Sequence, residues 1–421
     1  MIYAEVCLLR ARLCIQVMMK IIVRFVFVFL VLFSMGQNSF AQKTLRSVRS
    51  ALKNKKYADA LKLVEKHTND STLTDKAQLF FYGFEASKKL NDAENEKIYL
   101  QQRQDTVAFF NSLYNIFKYA LLTDSVASRV TGKNSVNRYR KAYLSELNAA
   151  YPNLTAATRY FITKKKWNEV SQFSQIGIEA QKSSIFNEQA ANVSAHQLAQ
   201  FAEGYLYANF AQKRFLEATR YDSLALTDTA NLEGIYEILV QISEQTQNDS
   251  LFVEQLKKGV DLYPRNMFFF TQLSDYYLNQ KQPAEVLKVV STLQPNDTLN
   301  TTLYEYQAKA FFQLNQYAKC IASAERLHEL DSTSVISDYY MGQSYFHLAR
   351  EIDMPQSIKA PGYKEAYKKQ SCLYKKARPY MELYKKNAPN DHETWVPILY
   401  EIYLKLNLGK EFEEISKHIQ K

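Results

Sequence analysis

Histidine and cysteine are the residues with which this sequence could bind a metal or perform nucleophilic chemistry. The chain holds six histidines and four cysteines. Zinc sites need such residues in pairs at fixed spacings, as in H-E-x-x-H, and His392-Glu393 lacks the second histidine. Cys372 has no base beside it in the sequence that would activate its thiol. We therefore expect no metal, no cofactor and no nucleophilic cysteine.

The ten glycines exclude several classes of enzyme, because no two of them lie close together. Phosphate-binding loops need G-x-G-x-x-G or G-x-x-x-x-G-K-[ST], and nucleophile elbows need G-x-S-x-G. None of these motifs can be written from glycines spaced so widely. The carboxylates are scattered along the chain without a recognisable pair. The sequence thus favours a protein that is not an enzyme.

Aromatic side chains are abundant in this sequence, which contains 30 tyrosines and 25 phenylalanines. The stretch "MFFFTQLSDYY" from Met267 to Tyr277 concentrates them. Such residues can enter a membrane, stack on a ligand or fill a core between helices. Thr271, Gln272 and Asp275 interrupt any apolar run here, which argues against the membrane. Glycine (10) and proline (9) are too scarce for the turns of a β-sandwich, so helices must position these aromatics.

In the C-terminal half, residues of the same character recur at a fixed period of 34 positions. One such column is small or short and reads Val240, Ser274, Ala308 and Gly342; another is aromatic and reads Tyr236, Phe270 and Tyr304. A fixed period of this length is typical of stacked helical repeats. Within each repeat, apolar residues recur at three- and four-residue steps, as one face of an α-helix requires. The period therefore predicts that Phe270, Leu273 and Tyr277 pack in a core.

These columns resemble those of the tetratricopeptide repeat. That family is a helix–turn–helix of about 34 residues. It carries an aromatic, a Leu-small pair and a second aromatic on its first helix. The best copy is "TLYEYQAKAFFQLNQYAKCIASAERLHELDST", residues 302–333. It places Ala308, Phe311 and Cys320 in the family's columns, so Cys320 is expected to be a buried, inert thiol. The resemblance implies an all-α fold, an α-α superhelix or solenoid of stacked repeats.

The repeats are expected to be unequal along the chain. A regular array is predicted over residues 199–421, and degenerate helical repeats over 42–198, where the period is lost from about residue 108. One unit is interrupted by an insert at about 351–373. Lysines of this insert (Lys359, Lys364, Lys368 and Lys369) alternate with tyrosines. Such a pattern can bind anionic polymers, or it can be the solvated face of a helix.

The resemblance also implies a binding surface. In tetratricopeptide arrays, first-helix residues left over from packing line a concave groove that binds peptides or protein segments. In this register the groove residues are Tyr207, Phe210, Phe268, Asp275, Glu305, Lys309, Tyr339, Gln343, Phe346, His347, Tyr400 and Tyr403. The family's clamp for a terminal carboxylate uses basic and amide side chains. The corresponding positions here include Thr271 and Asp275, which do not fit it.

The N-terminal residues 18–41 have the three parts of a secretory signal. Lys20 and Arg24 precede nine apolar residues, 25–33, and Ser39-Phe40-Ala41 offers small residues at a cleavage site. The apolar run is shorter than the roughly 20 residues that span a bilayer. Residues 1–17 are expected to be an upstream mis-start. No cysteine follows the apolar run, so we expect an exported protein of the periplasm or outer-membrane surface that is not a lipoprotein.

Together these features predict a non-catalytic scaffold that binds a protein or peptide partner in the cell envelope, without nucleic acid and without a membrane span after signal cleavage. An alternative is a glycan-binding envelope protein with a SusD-like role, in which groove tyrosines stack on sugar rings. An enzyme with an unmarked active site is a third reading.

Overall fold

The computed structural model describes residues 19, 42–70, 73, 75–130, 133–186 and 194–419. The expected mis-start and signal therefore lie outside the described residues, residue 19 excepted. All regular structure in the described part of the chain is helical. Across the same residues, no helix is both long and apolar enough to cross a membrane. Contacts divide the chain into two compact units, Met1–Ile235 and Tyr236–Lys421.

The first unit consists of helices that pack on their neighbours in chain order. They are α1 (residues 42–53), α2 (Tyr57–His67), α3 (Lys76–Tyr99), α4 (Thr106–Val130), α5 (Lys133–Thr163), α6 (Trp167–Lys182), α7 (Ala195–Ala211), α8 (Phe215–Ala218) and α9 (Asp222–Ala225). The irregular stretch from residue 108 to 198 is thus helical, as expected, with two long helices in place of the short helices of a regular repeat.

The second unit continues the same pattern, and α10 (Leu232–Gln245) crosses the boundary between the units. The remaining helices are α11 (Asp249–Leu262), α12 (Met267–Asn279), α13 (Pro283–Leu293), α14 (Thr301–Gln313), α15 (Tyr317–Leu330), α16 (Val335–Arg350), α17 (Tyr363–Asn387), α18 (His392–Lys405) and α19 (Gly409–Ile419). The predicted all-α fold is confirmed.

A residue in the left-handed conformation joins the two helices of each regular pair. Lys213, Gln247, Lys281 and Asn315 have φ between 55° and 58° and follow one another at the period of the repeat. After Lys281, the backbone N–H of Gln282 donates to the carbonyl of Tyr277 over 2.8 Å, and the N–H of Lys281 donates to Leu278 over 3.1 Å. This bond pattern satisfies carbonyls that a helix end leaves without partners. The repeat is therefore periodic in backbone conformation as well as in side-chain type.

The helix starts repeat with the same period. The side chains of Asn266 and Asn300 accept hydrogen bonds from the second backbone N–H of their helices, at 3.0 and 3.1 Å. Ser334, one further period along the chain, accepts from the N–H of Ser337 over 3.3 Å. These caps satisfy donors that a helix start leaves free. Each helix pair thus begins and turns at fixed positions, which keeps its apolar faces in register.

The predicted packing columns form the core of the second unit. Phe270 and Leu273 are 1% exposed, and Ser274 and Ala308 are fully buried. Gly342 shows why the small column must be small: a Cβ there would lie 2.5 Å from the sulfur of Met381 on α17. Helices α16 and α17 approach closely at this point, and a larger residue would force them apart.

The predicted insert at 351–373 has two parts. Residues 351–362 form a loop of turns and bends, and the rest belongs to α17, which is 25 residues long. The insert therefore lengthens a helix of the array as well as adding a loop.

A buried ion pair joins α4 and α5 in the first unit. Arg140 on α5 donates Nε and Nη2 to the two carboxylate oxygens of Asp124 on α4, at 2.7 and 3.0 Å. Tyr143 adds a hydroxyl hydrogen bond to the same carboxylate over 3.2 Å. The Asp124 side chain is 8% exposed. Removing one partner of such a pair leaves the other charge buried without compensation.

Arg140→Leu should therefore destabilise the α4–α5 contact by about 3–5 kcal/mol. Amide hydrogen exchange would measure this as a lower free energy of opening for the amides of both helices. The exposed Arg129→Leu on α4 is the matched control and should leave that protection near the wild-type level. Equal protection in the two variants would mean that the ion pair contributes no net stability.

Replacing Lys281 by glycine should stabilise the second unit by about 1 kcal/mol, because only glycine adopts the left-handed conformation without a steric cost. Urea unfolding can be followed through Trp395 in a Trp167→Phe background, since these are the only two tryptophans. Lys288→Gly, at an exposed position inside α13, is the control and should cost about 1 kcal/mol. A destabilised Lys281→Gly variant would contradict this account of the turn.

Candidate functional site

A cavity of about 310 Å³ opens between α5, α6 and α7 in the first unit. Thr155, Arg159 and Ile162 lie one turn apart along α5, which places them on one face of that helix. Gln197, Gln200, Glu203 and Tyr207 line the opposite wall from α7, and Val170 of α6 lies between the two walls. The first helices of two successive pairs thus form the sides of the cavity.

The floor of the cavity depends on a close approach of α7 to α6. A Cβ at Gly204 would lie 2.8 Å from the hydroxyl oxygen of Ser174 on α6. Phe201 fills the space beside it and is buried. Because this position carries no side chain, α7 can lie directly against α6 here.

The rim combines exposed apolar surface with fixed polar groups. Tyr207 is 47% exposed and Ile162 is 40% exposed. Trp167 packs edge-on against Tyr207, with 5.5 Å between ring centroids, and so holds the tyrosine ring in place. The amide of Gln197 donates to the Thr155 hydroxyl over 2.7 Å. Arg159 is exposed at the same rim.

Among the predicted groove residues, only Tyr207 lines this cavity. The other residues that line the cavity were not predicted, because α5 lies in the stretch where the period of the repeat is lost. The three- and four-residue spacing of Thr155, Arg159 and Ile162 was the available signal, but nothing in the sequence indicated that α5 faces α7.

A second set of predicted residues meets on α12 and α14 in the second unit. Tyr306 donates its hydroxyl to Asp275 over 2.9 Å. Lys309 lies 2.6 Å from a carboxylate oxygen of Glu305 and 4.2 Å from the centroid of the Tyr306 ring. Burial, together with the hydrogen bond to Asp275, raises the pKa of Tyr306, so its phenol stays a donor. The structure therefore joins Asp275, Glu305 and Lys309 through Tyr306, a residue outside the predicted groove set.

A third set surrounds His347 on α16. Its ring stacks on Tyr317 with 4.8 Å between centroids and 5° between planes. Phe312 contacts both His347 and Tyr339, at 5.6 and 6.3 Å, and Tyr339 also meets Tyr384 at 5.2 Å. These rings are only partly exposed, apart from the buried Tyr317. Burial, followed by the charge of Arg350, lowers the pKa of His347.

The remaining predicted groove residues lie apart from these sets. Phe210, Phe268 and Tyr400 are half-buried, each against a neighbouring aromatic ring. Phe346 and Tyr403 are buried in the core around Trp395, and Gln343 is buried as well. The burial of these last three differs from the expectation of a groove surface. Phe346 and Tyr403 pack in one cluster with Tyr374 and Met381 of α17.

The insert lysines Lys359, Lys364, Lys368 and Lys369 are all exposed. Cys320 is buried, and burial raises the pKa of its thiol to about 11, which keeps it protonated at neutral pH. Within the described ranges, no three histidine, cysteine or acidic residues are grouped so that they could hold a metal ion.

Helix pairs that recur at one period, with left-handed turns at matching positions, decide the fold. The described helices form stacked helix–turn–helix pairs, the architecture of a tetratricopeptide-like array. No protein-family model matches the sequence, and no curated protein matches it.

Several solved structures of helical-repeat proteins are similar to this chain at low identity. They include MamA from Desulfovibrio magneticus, 14% identical with a TM-score of 0.30, covering 43% of this chain and 96% of that one. The C-terminal part of a TPR repeat-containing protein from Cytophaga hutchinsonii is 12% identical with a TM-score of 0.35, covering 62% and 98%. PilF from Pseudomonas aeruginosa is 10% identical with a TM-score of 0.31, covering 59% and 99%. The likeness is one of fold alone.

The lowered pKa of His347 should make the second unit less stable in mild acid. The ordinary pKa of 6.5 applies to the unfolded chain. As the pH falls below that value, the unfolded chain binds a proton that folded His347 does not, so the free energy of unfolding decreases. His347→Phe keeps an aromatic ring on Tyr317 but cannot be protonated, and should show a smaller decrease.

The comparison uses urea unfolding at about pH 7.5 and about pH 5.5, followed through Trp395. The wild type in the same background is the reference. If His347→Phe loses as much stability on acidification as the wild type, the half-buried imidazole does not set the pH dependence.

Proposed function

We propose that this protein is a non-catalytic scaffold that binds an extended segment of a partner protein in the cavity between α5, α6 and α7. The observation that carries this proposal is the composition of the cavity. Its wall is mainly apolar, from Ile162, Val170, Phe201 and Tyr207, with a few convergent polar groups at the rim. Binding pockets have this character, because apolar surface supplies affinity and a few polar groups fix orientation.

The size of the cavity suits one large side chain of the partner. About 310 Å³ accepts a leucine, methionine or phenylalanine side chain together with part of its backbone. Tyr207 is a rigid, half-exposed anchor, of the type that dominates binding energy at interfaces. Burying an apolar side chain between Tyr207 and Ile162 would remove from water the surface that both residues expose.

The polar residues of the rim determine which partner side chains can lie next to that anchor. Arg159 offers a guanidinium that pairs bidentately with carboxylates. Gln197 and Gln200 offer amide groups that can bond to the backbone of an extended chain. The segment that fits best therefore has an apolar residue beside an acidic one, in an extended conformation.

Tyr207→Ala should weaken binding of such a segment at least tenfold, because it removes the anchor surface. The segment would be selected from a displayed library of random peptides, and its dissociation constant measured by fluorescence anisotropy. Arg159→Glu should reverse the preference for an acidic neighbour. Tyr99→Ala, at a position 87% exposed at the end of α3, is the matched control and should bind as the wild type does.

Two results would count against the cavity as the binding site. One is a set of selected peptides whose affinity is the same for Tyr207→Ala and Tyr99→Ala. The other is selected peptides without an apolar residue in common. A third result would identify a sugar, and not a peptide, as the ligand of the cavity: no peptide is selected, and the protein binds a glycan that Tyr207→Ala does not bind.

We also propose that the chain acts in the periplasm or at the cell envelope. The support is the charged, apolar and small-residue order of residues 18–41. Expression of the full chain, followed by fractionation and N-terminal sequencing, should give a periplasmic protein that begins at Gln42. A cytoplasmic protein with an intact N-terminus would contradict the proposal.

A further inference from the structure

The insert forms a projecting basic tip, which we define as residues 357–369. The amide of Gln370 on α17 donates to the carbonyl of Ala349, at the end of α16, over 3.1 Å. Gln370 is therefore level with the last turn of α16, which ends at Arg350. The preceding seven residues of α17 extend beyond that turn by about 10 Å at 1.5 Å per residue.

The tip is built as a defined structure. The N–H of Ala360 donates to the carbonyl of Ser357 over 2.9 Å, and the N–H of Tyr363 donates to Ala360 over 3.2 Å. Gly362 then starts α17 with a φ of 83°, a conformation that side chains other than glycine rarely adopt. The rings of Tyr363 and Tyr367 stack one turn apart at 6.3 Å. Two successive hydrogen-bonded turns thus lead directly into the first residue of α17.

The tip carries an excess of positive charge. Its residues 357–369 contain four lysines and one acidic residue, Glu365. Lys359, Lys364, Lys368 and Lys369 are exposed, and none of these four forms an ion pair with a carboxylate in the described part of the chain. Lys364 and Lys368 lie one turn apart on the same face of α17. Other exposed lysines of this unit, such as Lys258 and Lys288, pair with a glutamate on their own helix.

Apolar side chains accompany these lysines. Ile358 is 76% exposed at the bend of the loop, and Tyr367 is 48% exposed on α17. Because the tip projects beyond α16, its exposed side chains can contact a broad surface. Peripheral membrane proteins usually combine two elements. Lysines reach the anionic headgroup layer, and apolar or aromatic side chains such as isoleucine and tyrosine enter its edge.

We propose that the basic tip docks this protein on an anionic lipid surface. The lysines supply long-range attraction, and Ile358 and Tyr367 supply short-range burial at the level of the headgroups. This function is separate from the peptide cavity, since the tip belongs to the second unit and the cavity to the first.

The test measures sedimentation of the full chain with vesicles of phosphatidylcholine, with and without phosphatidylglycerol. Phosphatidylglycerol should strengthen binding, and salt should weaken it. Each lysine near an anionic surface contributes about fivefold in affinity. The charge-reversal variant Lys359→Glu/Lys364→Glu/Lys368→Glu/Lys369→Glu should therefore lose about 100-fold or more of the phosphatidylglycerol-dependent affinity.

A control variant carries the same change in net charge at four other exposed lysines of the second unit. It is Lys257→Glu/Lys288→Glu/Lys405→Glu/Lys410→Glu, and it should keep most of the affinity. The two variants have the same N-terminus, whether residues 18–41 are removed or retained, so their difference reports on the tip. All substituted positions are exposed, and circular dichroism checks that both variants fold.

Three results would overturn the proposal. The first is equal binding to vesicles with and without phosphatidylglycerol. The second is equal loss in the charge-reversal and control variants. The third concerns Ile358→Ser, which should weaken vesicle binding because burial of that side chain is lost. If this variant binds unchanged and soluble polyglutamate displaces the protein from vesicles, the tip recognises an acidic chain and not a lipid surface.

Discussion

The stacking of helix pairs is the constraint on which this structure depends. One pair cannot bury its own apolar face, so each pair is stable only against its neighbours. Each pair must therefore present its large and small residues at the same height as the next. The turns at Lys281 and Asn315 and the caps at Asn266 and Asn300 meet that requirement by starting and ending helices at constant intervals. A slip of one residue would move Phe270 and Leu273 out of the core.

This constraint also determines where function can be placed. In each unit, most of the aromatic residues pack between helices. The surface left for a partner lies on the first helices, between neighbouring pairs. In the first unit a cavity opens there, between α5, α6 and α7. In the second unit, the hydrogen bond from Tyr306 to Asp275 joins two of the first helices.

The insert shows how the array acquires new surface without losing its packing. Tyr374, Ala377 and Met381 of α17 are buried as in a regular second helix. The additional residues extend the start of that helix and the loop before it, beyond the end of α16. A lengthened helix keeps its buried face in register because the 3.6-residue repeat continues unchanged. The exposed lysines can therefore vary in sequence without a cost to the core.

The sequence by itself determined the helical class, the period of the repeat and the burial of Phe270, Leu273 and Ala308, because these depend on local spacing that repeats along the chain. It also indicated the insert and its lysines. The tertiary structure alone decided that Phe346 and Tyr403 belong to the core, since α16, α17, α18 and α19 meet in one cluster around them. It alone placed Thr155, Arg159 and Ile162 opposite Tyr207, because a pocket arises from the distance between helices. The approach of α7 to α6, for example, depends on residues such as Gly204 and Ser174, which are far apart in sequence and carry no periodic signal.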